Sequence, residues 1–203
     1  MIAIVDYGVG NLFSLESSFA KIGAKVVVTS DEKVIRSADK IILPGVGAFG
    51  DAAKKLSECG LGEVVVSEAK SGKPVMGICL GMQLLFERSF EYGEHKGLGL
   101  LRGSVVPMKG VIPEVLKIPH IGWNALDFTS KESRLFRFIK NGDFVYFVHS
   151  FYATDCDEDV IAYTEYGANL CAAVERDNVF GCQFHPEKSG DVGLEILRGF
   201  CKI

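Results

Sequence analysis

Cys79 stands between two glycines in the segment Gly77-Ile78-Cys79-Leu80-Gly81. The segment joins an apolar run, Val75 to Ile78, to a stretch with helical character, Met82-Gln83-Leu84-Leu85-Phe86-Glu87. This is the pattern of a nucleophile elbow, in which small flanking residues let the backbone turn sharply and present a side chain above a sheet edge. A helix N-terminus beside the sulfur favours thiolate over thiol, and its free N–H groups can receive a developing oxyanion. The chemistry in prospect is nucleophilic attack on an acyl carbon.

A cysteine hydrolase also needs a base and a group to orient it. Four histidines are available, and Phe184-His185-Pro186-Glu187 offers one with a carboxylate two residues on. If the backbone runs extended through Pro186, His185 and Glu187 share a side, so the carboxylate holds one ring nitrogen while the other faces the thiol. Proline favours an extended residue before it and fixes its own φ. Cys79, His185 and Glu187 therefore form a coherent catalytic triad. His95 lies in the polar stretch Glu91 to Lys96 and reads as solvated surface, whereas His120 and His149 adjoin loops or strand ends and could bind substrate or cap a turn. No two histidines share a helix or hairpin spacing and no CxxC occurs, so no metal is expected. The other cysteines, Cys59, Cys156, Cys171, Cys182 and Cys201, read as buried packing residues.

Gly45-Val46-Gly47-Ala48-Phe49-Gly50 satisfies GxGxxG and follows an apolar run. The dinucleotide fingerprint needs an acidic residue about 20 positions on, at the end of the next strand, whereas Glu68 falls in a helical stretch. A backbone with exposed N–H groups near a reaction site is the better reading. Asp6-Tyr7-Gly8-Val9-Gly10-Asn11 is a further glycine-rich strand end. Open parallel sheets place ligands beyond their strand C-termini, so the three glycine-containing turns are expected to look into one crevice.

The elements that must position these groups alternate between apolar runs and helical patterns. Ile2 to Val5, Lys25 to Val28, Ile41 to Leu43 and Val75 to Ile78 read as buried strands. Between them Leu12, Leu15, Phe19 and Ile22 recur at helical spacing after Asn11, a plausible N-cap, and helices are expected over Asp51 to Ser57 and Gly62 to Lys70. From Gly97 to Thr129 scattered Gly and Pro favour loops and short antiparallel strands. Phe144 to His149, Val160 to Tyr163, Leu170 to Val174 and Val179 to Phe184 read as strands, and Asp191 to Phe200 as a closing helix. The expectation is an α/β fold, a mixed, mostly parallel central sheet flanked by helices, in one domain spanning residues 1–203.

The 203 residues are 48% hydrophobic, with 22 Lys plus Arg against 26 Asp plus Glu. Such a chain builds a packed core, and its mild acidity without a basic cluster argues against binding nucleic acid through phosphate neutralisation. Apolar runs far short of a bilayer span argue against a membrane protein. The start Met1-Ile2-Ala3-Ile4 without a basic leader, together with sparse cysteines, favours reduced thiols in the cytoplasm.

The Cys79 segment with Gln83 beyond it, and the His185-Pro186-Glu187 segment, resemble the paired motifs of the class I, triad-type glutamine amidotransferases, and the resemblance runs from residue 2 to the C-terminal helix. Asp6 to Asn11, Pro44 to Phe49, and Pro119-His120-Ile121-Gly122-Trp123-Asn124 are similar to the branch that supplies ammonia to a synthase making imidazole glycerol phosphate and an aminoimidazole carboxamide ribonucleotide. The resemblance implies L-glutamine as substrate, no cofactor, and a (β/α)8-barrel cyclase/synthase subunit as partner. It implies Cys79 as nucleophile, His185 as acid and base, and Glu187 as the group that fixes the imidazole. It puts the Leu80 N–H and, after a peptide adjustment, the Val46 N–H in the oxyanion hole. Gln83, Gly47, His149, Ser150 and Phe151 become substrate contacts, and Asn11, His120 and Trp123 partner-facing or coupling residues. Residues 91–103 carry no motif and read as a surface insertion.

Overall fold

The computed structural model describes residues 1–203. The first half is a succession of strand and helix: β1 (Ile2–Val5), α1 (Leu12–Lys21), β2 (Val26–Thr29), α2 (Glu32–Ser37), β3 (Lys40–Leu43), α3 (Phe49–Glu58), α4 (Leu61–Lys70), β4 (Val75–Ile78) and α5 (Leu80–Leu84). Short strands follow: β5 (Arg88–Ser89), β6 (His95–Lys96), β7 (Ser104–Pro107), β8 (His120–Ala125) and β9 (Asp127–Phe128). The last third holds β10 (Phe144–His149), β11 (Phe151–Thr154), β12 (Val160–Glu165), β13 (Asn169–Arg176), β14 (Val179–Cys182) and α6 (Gly190–Cys201).

An eight-stranded sheet in the order β2-β1-β3-β4-β14-β13-β12-β9 forms the centre. Its pairings from β2 through to β14 are parallel, and those beyond β14 are antiparallel. The alternation of strand side chains divides β1 between two cores: Ala3 and Val5 enter one and Ile2 and Ile4 the other. The two cores hold 28 and 23 buried residues, so both faces are covered and the uniformly apolar inner strands are explained. A two-stranded sheet, β10 with β8, and a four-stranded one, β11-β7-β5-β6, sit beside the central sheet.

Residues 91–103 are not the surface insertion expected from their composition. The N–H groups of Leu98, Gly99 and Leu100 donate to the carbonyls of Leu84, Phe86 and Leu85 at 2.8–3.0 Å, and so satisfy the orphan C-terminal carbonyls of α5. This return ends α5 at Leu84 and removes the helical continuation expected through Glu87. A Cβ on Gly97 would lie 2.1 Å from the Phe86 oxygen, so only glycine permits the approach. His95, expected in solvent, lays its ring over Gly50, where an added Cβ would meet it at 2.7 Å. Asn11 occupies the position before α1 but its side chain makes no cap hydrogen bond.

Candidate active site

Strand β4 ends at Ile78 and α5 begins at Leu80, leaving Cys79 alone at the turn with φ 53° and ψ −113°. That region is unfavourable for a residue with a Cβ, and the surrounding structure must hold it there. A Cβ on Gly77 would come within 2.5 Å of the Gly81 oxygen, and one on Gly81 within 1.9 Å of the Leu43 oxygen. Both glycines are therefore required by the fold of the elbow on itself and on β3. The Cys79 N–H donates to the Cys182 carbonyl at 2.7 Å, which ties the elbow to the end of β14.

His185 follows β14 at one remove. Its N–H donates to the Tyr146 carbonyl at 2.9 Å, and Ser189 Oγ donates to the His185 carbonyl at 2.6 Å while accepting from the Tyr146 N–H at 3.0 Å. His185 Nδ1 lies 2.8 Å from Glu187 Oε1, and both side chains are at most 2% exposed. The pairing is the one expected, but the backbone is not: Pro186–Lys188 forms a single 3-10 turn. Glu187 reaches the ring because the turn brings it back, not because an extended chain alternates.

His185 Nε2 is buried with no hydrogen-bond partner, and His185 lines the same cavity as Cys79. Burial alone would depress the imidazole pKa; the Cys79 sulfur and the Glu187 carboxylate outweigh it and raise it to about 10. The arrangement favours an imidazolium at His185.

The cavity measures about 270 Å³, below the roughly 300–1,000 Å³ of drug-sized sites. Val46, Gly47, Leu80, Gln83, His149, Ser150 and Phe151 all line it, as expected, together with Pro119, Val148 and Glu91. Glu91 is its one acidic lining residue, and its Oε2 accepts from the Phe49 N–H at 2.5 Å. That carboxylate occupies the N-terminus of α3, where a dinucleotide phosphate would have to sit. The GxGxxG spacing has other causes: Gly45 packs on Gly81 and Leu80, Gly47 has φ +96°, and Gly50 makes room for His95. Only two of the three glycine turns meet in the cavity. Gly8 and Gly10 line a separate depression on the other side of Val46 and Gly47.

Gln83 is 5% exposed, and its amide nitrogen already donates to the Phe151 carbonyl at 3.1 Å and to Gln183 Oε1 at 2.9 Å. It walls the cavity with both donors committed within the protein. Glu91 and Gln183 were not anticipated as site residues; the only sequence signals were an acid inside a motif-poor stretch and a Gln two places before His185.

His120 and His149 face each other in the β8–β10 ladder, with Nδ1 of His120 at 3.1 Å from Nε2 of His149. His149 Nδ1 lies 2.9 Å from the Phe151 carbonyl, which requires it to carry the proton. Nε2 of His149 is then the acceptor and His120 the donor. Burial lowers both pKa values, to about 4 for His120 and about 3 for His149, so both are neutral. His120 is buried between Phe147 and Tyr166, with ring centroids 4.8 and 4.1 Å away, and so cannot itself be a surface contact. On the same strand Trp123 is 55% exposed, and Asn11 is half-buried. Among the remaining cysteines the expectation of burial holds for Cys156, Cys171 and Cys182 but not for Cys59, which is exposed, or Cys201, which is partly so. Cys59 caps α3 at its outer end and Cys201 closes the terminal helix, both positions that a composition-based reading cannot separate from core.

The family model "Glutamine amidotransferase class-I" matches residues 3–202. The imidazole glycerol phosphate synthase subunit HisH of Wolinella succinogenes is 50% identical over 100% of both chains. The subunit of the same name from Sulfurimonas denitrificans is 52% identical, over 100% of this chain and 98% of its own. Among solved structures, a glutamine amidotransferase crystal structure aligns with a TM-score of 0.77 at 18% identity, covering 100% of this chain and 98% of that one, which establishes likeness of fold.

Proposed function

The chain belongs to the class-I glutamine amidotransferases, and from that premise we propose that it is the glutaminase subunit of an imidazole glycerol phosphate synthase, working in the cytoplasm with a (β/α)8-barrel synthase subunit. It hydrolyses L-glutamine and hands the ammonia to that subunit, which forms imidazole glycerol phosphate and an aminoimidazole carboxamide ribonucleotide in histidine biosynthesis. The observation that carries the chemistry is the unpartnered, buried Nε2 of His185, backed by Glu187 and sharing a cavity with the strained Cys79.

The Cys79 thiolate attacks the side-chain carboxamide carbon of glutamine, forming an S–C bond and pushing charge onto the oxygen. The N–H of Leu80, first residue of α5, and that of Val46 receive the charge; one such donor contributes roughly 3 kcal/mol to the transition state. As the tetrahedral species collapses, the C–N bond breaks and imidazolium His185 delivers its proton, so the nitrogen leaves as ammonia. Water then attacks the thioester with neutral His185 as general base, the S–C bond breaks, and glutamate departs. Glu187 holds the ring through Nδ1 in both halves. Glu91 is placed to meet the substrate α-ammonium, and Ser150, Phe151 and the backbone near Gly47 meet its carboxylate.

Val46 is 42% exposed and flanked by Gly45 and the left-handed Gly47, so no neighbouring side chain in the segment obstructs a rotation of its peptide. The reading is that docking of the partner and its ligand, through the exposed face around Trp123 and Asn11, turns this peptide to complete the oxyanion hole. The decisive test is copurification with a barrel subunit and assay of glutamate release and imidazole glycerol phosphate formation with the parent chain and Cys79→Ala. Loss of both products in the variant is expected. Glutamate release that persists without the thiol overturns the mechanism, and a complex that never attacks glutamine marks a docking subunit without catalysis.

A further inference from the structure

Gln183 is completely buried, and no step above uses it. It lies just beyond β14, where the chain bends, with its N–H on the Ala172 carbonyl at 2.8 Å. Its amide nitrogen is 3.8 Å from Cys79 Sγ.

An amide's two ends are distinguished by what they touch, and here the assignment is forced. The Phe151 carbonyl can only accept, so the end of Gln83 that meets it must be the NH2. The same nitrogen lies 2.9 Å from the nearer end of the Gln183 amide, which must then be oxygen. That leaves the Gln183 NH2 turned towards the sulfur. His149, which also donates to the Phe151 carbonyl, helps fix the origin of this chain.

We propose that Gln183 is a catalytic residue: its amide N–H donates to the Cys79 sulfur and stabilises the thiolate, with Gln83 and the Phe151 carbonyl as positioning groups that set the direction of the donor. The proposal rests on the reading of Cys79 as nucleophile. The sulfur also lies 4.0 Å from the Val148 carbonyl, an acceptor that only an S–H can satisfy. Loss of that proton makes the sulfur an acceptor, and the N–H of Gln183 then shortens onto it as hydrogen bonds to charged groups do.

The test is the pH dependence of Cys79 alkylation by iodoacetamide in the full-length chain, followed by mass-spectrometric mapping of the Cys79 peptide. Other titratable groups disposed around the sulfur are Tyr7 at the end of β1, Glu91 and His149 in the cavity wall, Cys182 on β14, and His185 with Glu187 beyond it. None is altered in the Gln183 variants, so a change in the titration reports the amide. Gln183→Met should raise the apparent thiol pKa by about one unit and slow alkylation at neutral pH about tenfold. Gln183→Glu, of the same shape but placing a carboxylate there, should raise it further, and Gln83→Met, which frees the amide to turn, should raise it less. In assembled enzyme the loss should fall on kcat rather than KM. Identical titration curves for the parent, Gln183→Met and Gln183→Glu would overturn the proposal. If the variants do not fold, the side-chain amide resonance of Gln183 in the unaltered chain must shift as Cys79 titrates, and a constant resonance overturns it equally. Failure of glutamine to protect Cys79 in the assembled complex would instead count against the glutaminase reading, leaving the amide–sulfur contact as measured.

Discussion

Replacing Glu91 by Gln separates substrate recognition from scaffolding at a single oxygen. Glu91 Oε2 accepts from the Phe49 N–H at 2.5 Å, and the side chain is the one acid in the cavity wall. Gln keeps an acceptor for Phe49, so α3 retains its N-terminal partner and folding should be nearly unaffected. What disappears is the negative charge that the proposed function sets against the substrate ammonium. A hydrogen bond to a charged group contributes about 1.5–3 kcal/mol, which converts to a loss of roughly 10- to 150-fold in kcat/KM, carried by KM. The assay is glutamate release by the assembled complex, run beside the same reaction on 4-carbamoylbutyrate, which is glutamine without its amino group. The variant should lose its factor on glutamine and almost none on the analogue. An equal penalty on both substrates would show that Glu91 acts on the fold or the elbow, and would refute the assignment.

The lone chain should turn over glutamine poorly and accelerate when the partner and its ligand are supplied; turnover that is already fast and unchanged by them would sink the proposed peptide rotation. Gly47→Ala, which strains the φ +96° backbone, should abolish that activation while leaving Cys79 alkylation intact. Gly81→Ala would place a Cβ 1.9 Å from the Leu43 oxygen and should cost more than about 3 kcal/mol in urea unfolding; a normal midpoint would contradict the described elbow. The neutral pair His120 and His149, with pKa values of about 4 and about 3 against roughly 6.5 in the unfolded chain, takes up fewer protons folded than unfolded. Their contribution is complete above pH 6.5 and is lost as pH falls towards 4, at up to about 1.4 kcal/mol per pH unit per histidine. His120→Asn with His149→Asn should flatten that acid limb, as read from unfolding free energies at pH 7 and pH 5.

The Cys79 elbow and the His185–Glu187 pair beside it were legible in the sequence because each rests on local chemistry. A cysteine framed by glycines between an apolar strand and a helix, and a carboxylate two residues past a histidine, are patterns of a few residues. The alternating strands and helices of the first half were legible for the same reason, since a strand buried on both faces must be apolar throughout. Tertiary structure decided the rest. Glu91 joins the cavity through a contact 42 residues away, and Gln183 meets the sulfur across 104. Residues 97–101 look like loop until they are seen to satisfy the carbonyl end of α5. The His185–Glu187 contact was foreseen, but from a backbone shape the chain does not adopt. Periodicity and turn chemistry are written within a few residues, whereas a buried polar group takes its role from whichever distant partner completes its hydrogen bonds, and only the closed core determines that partner.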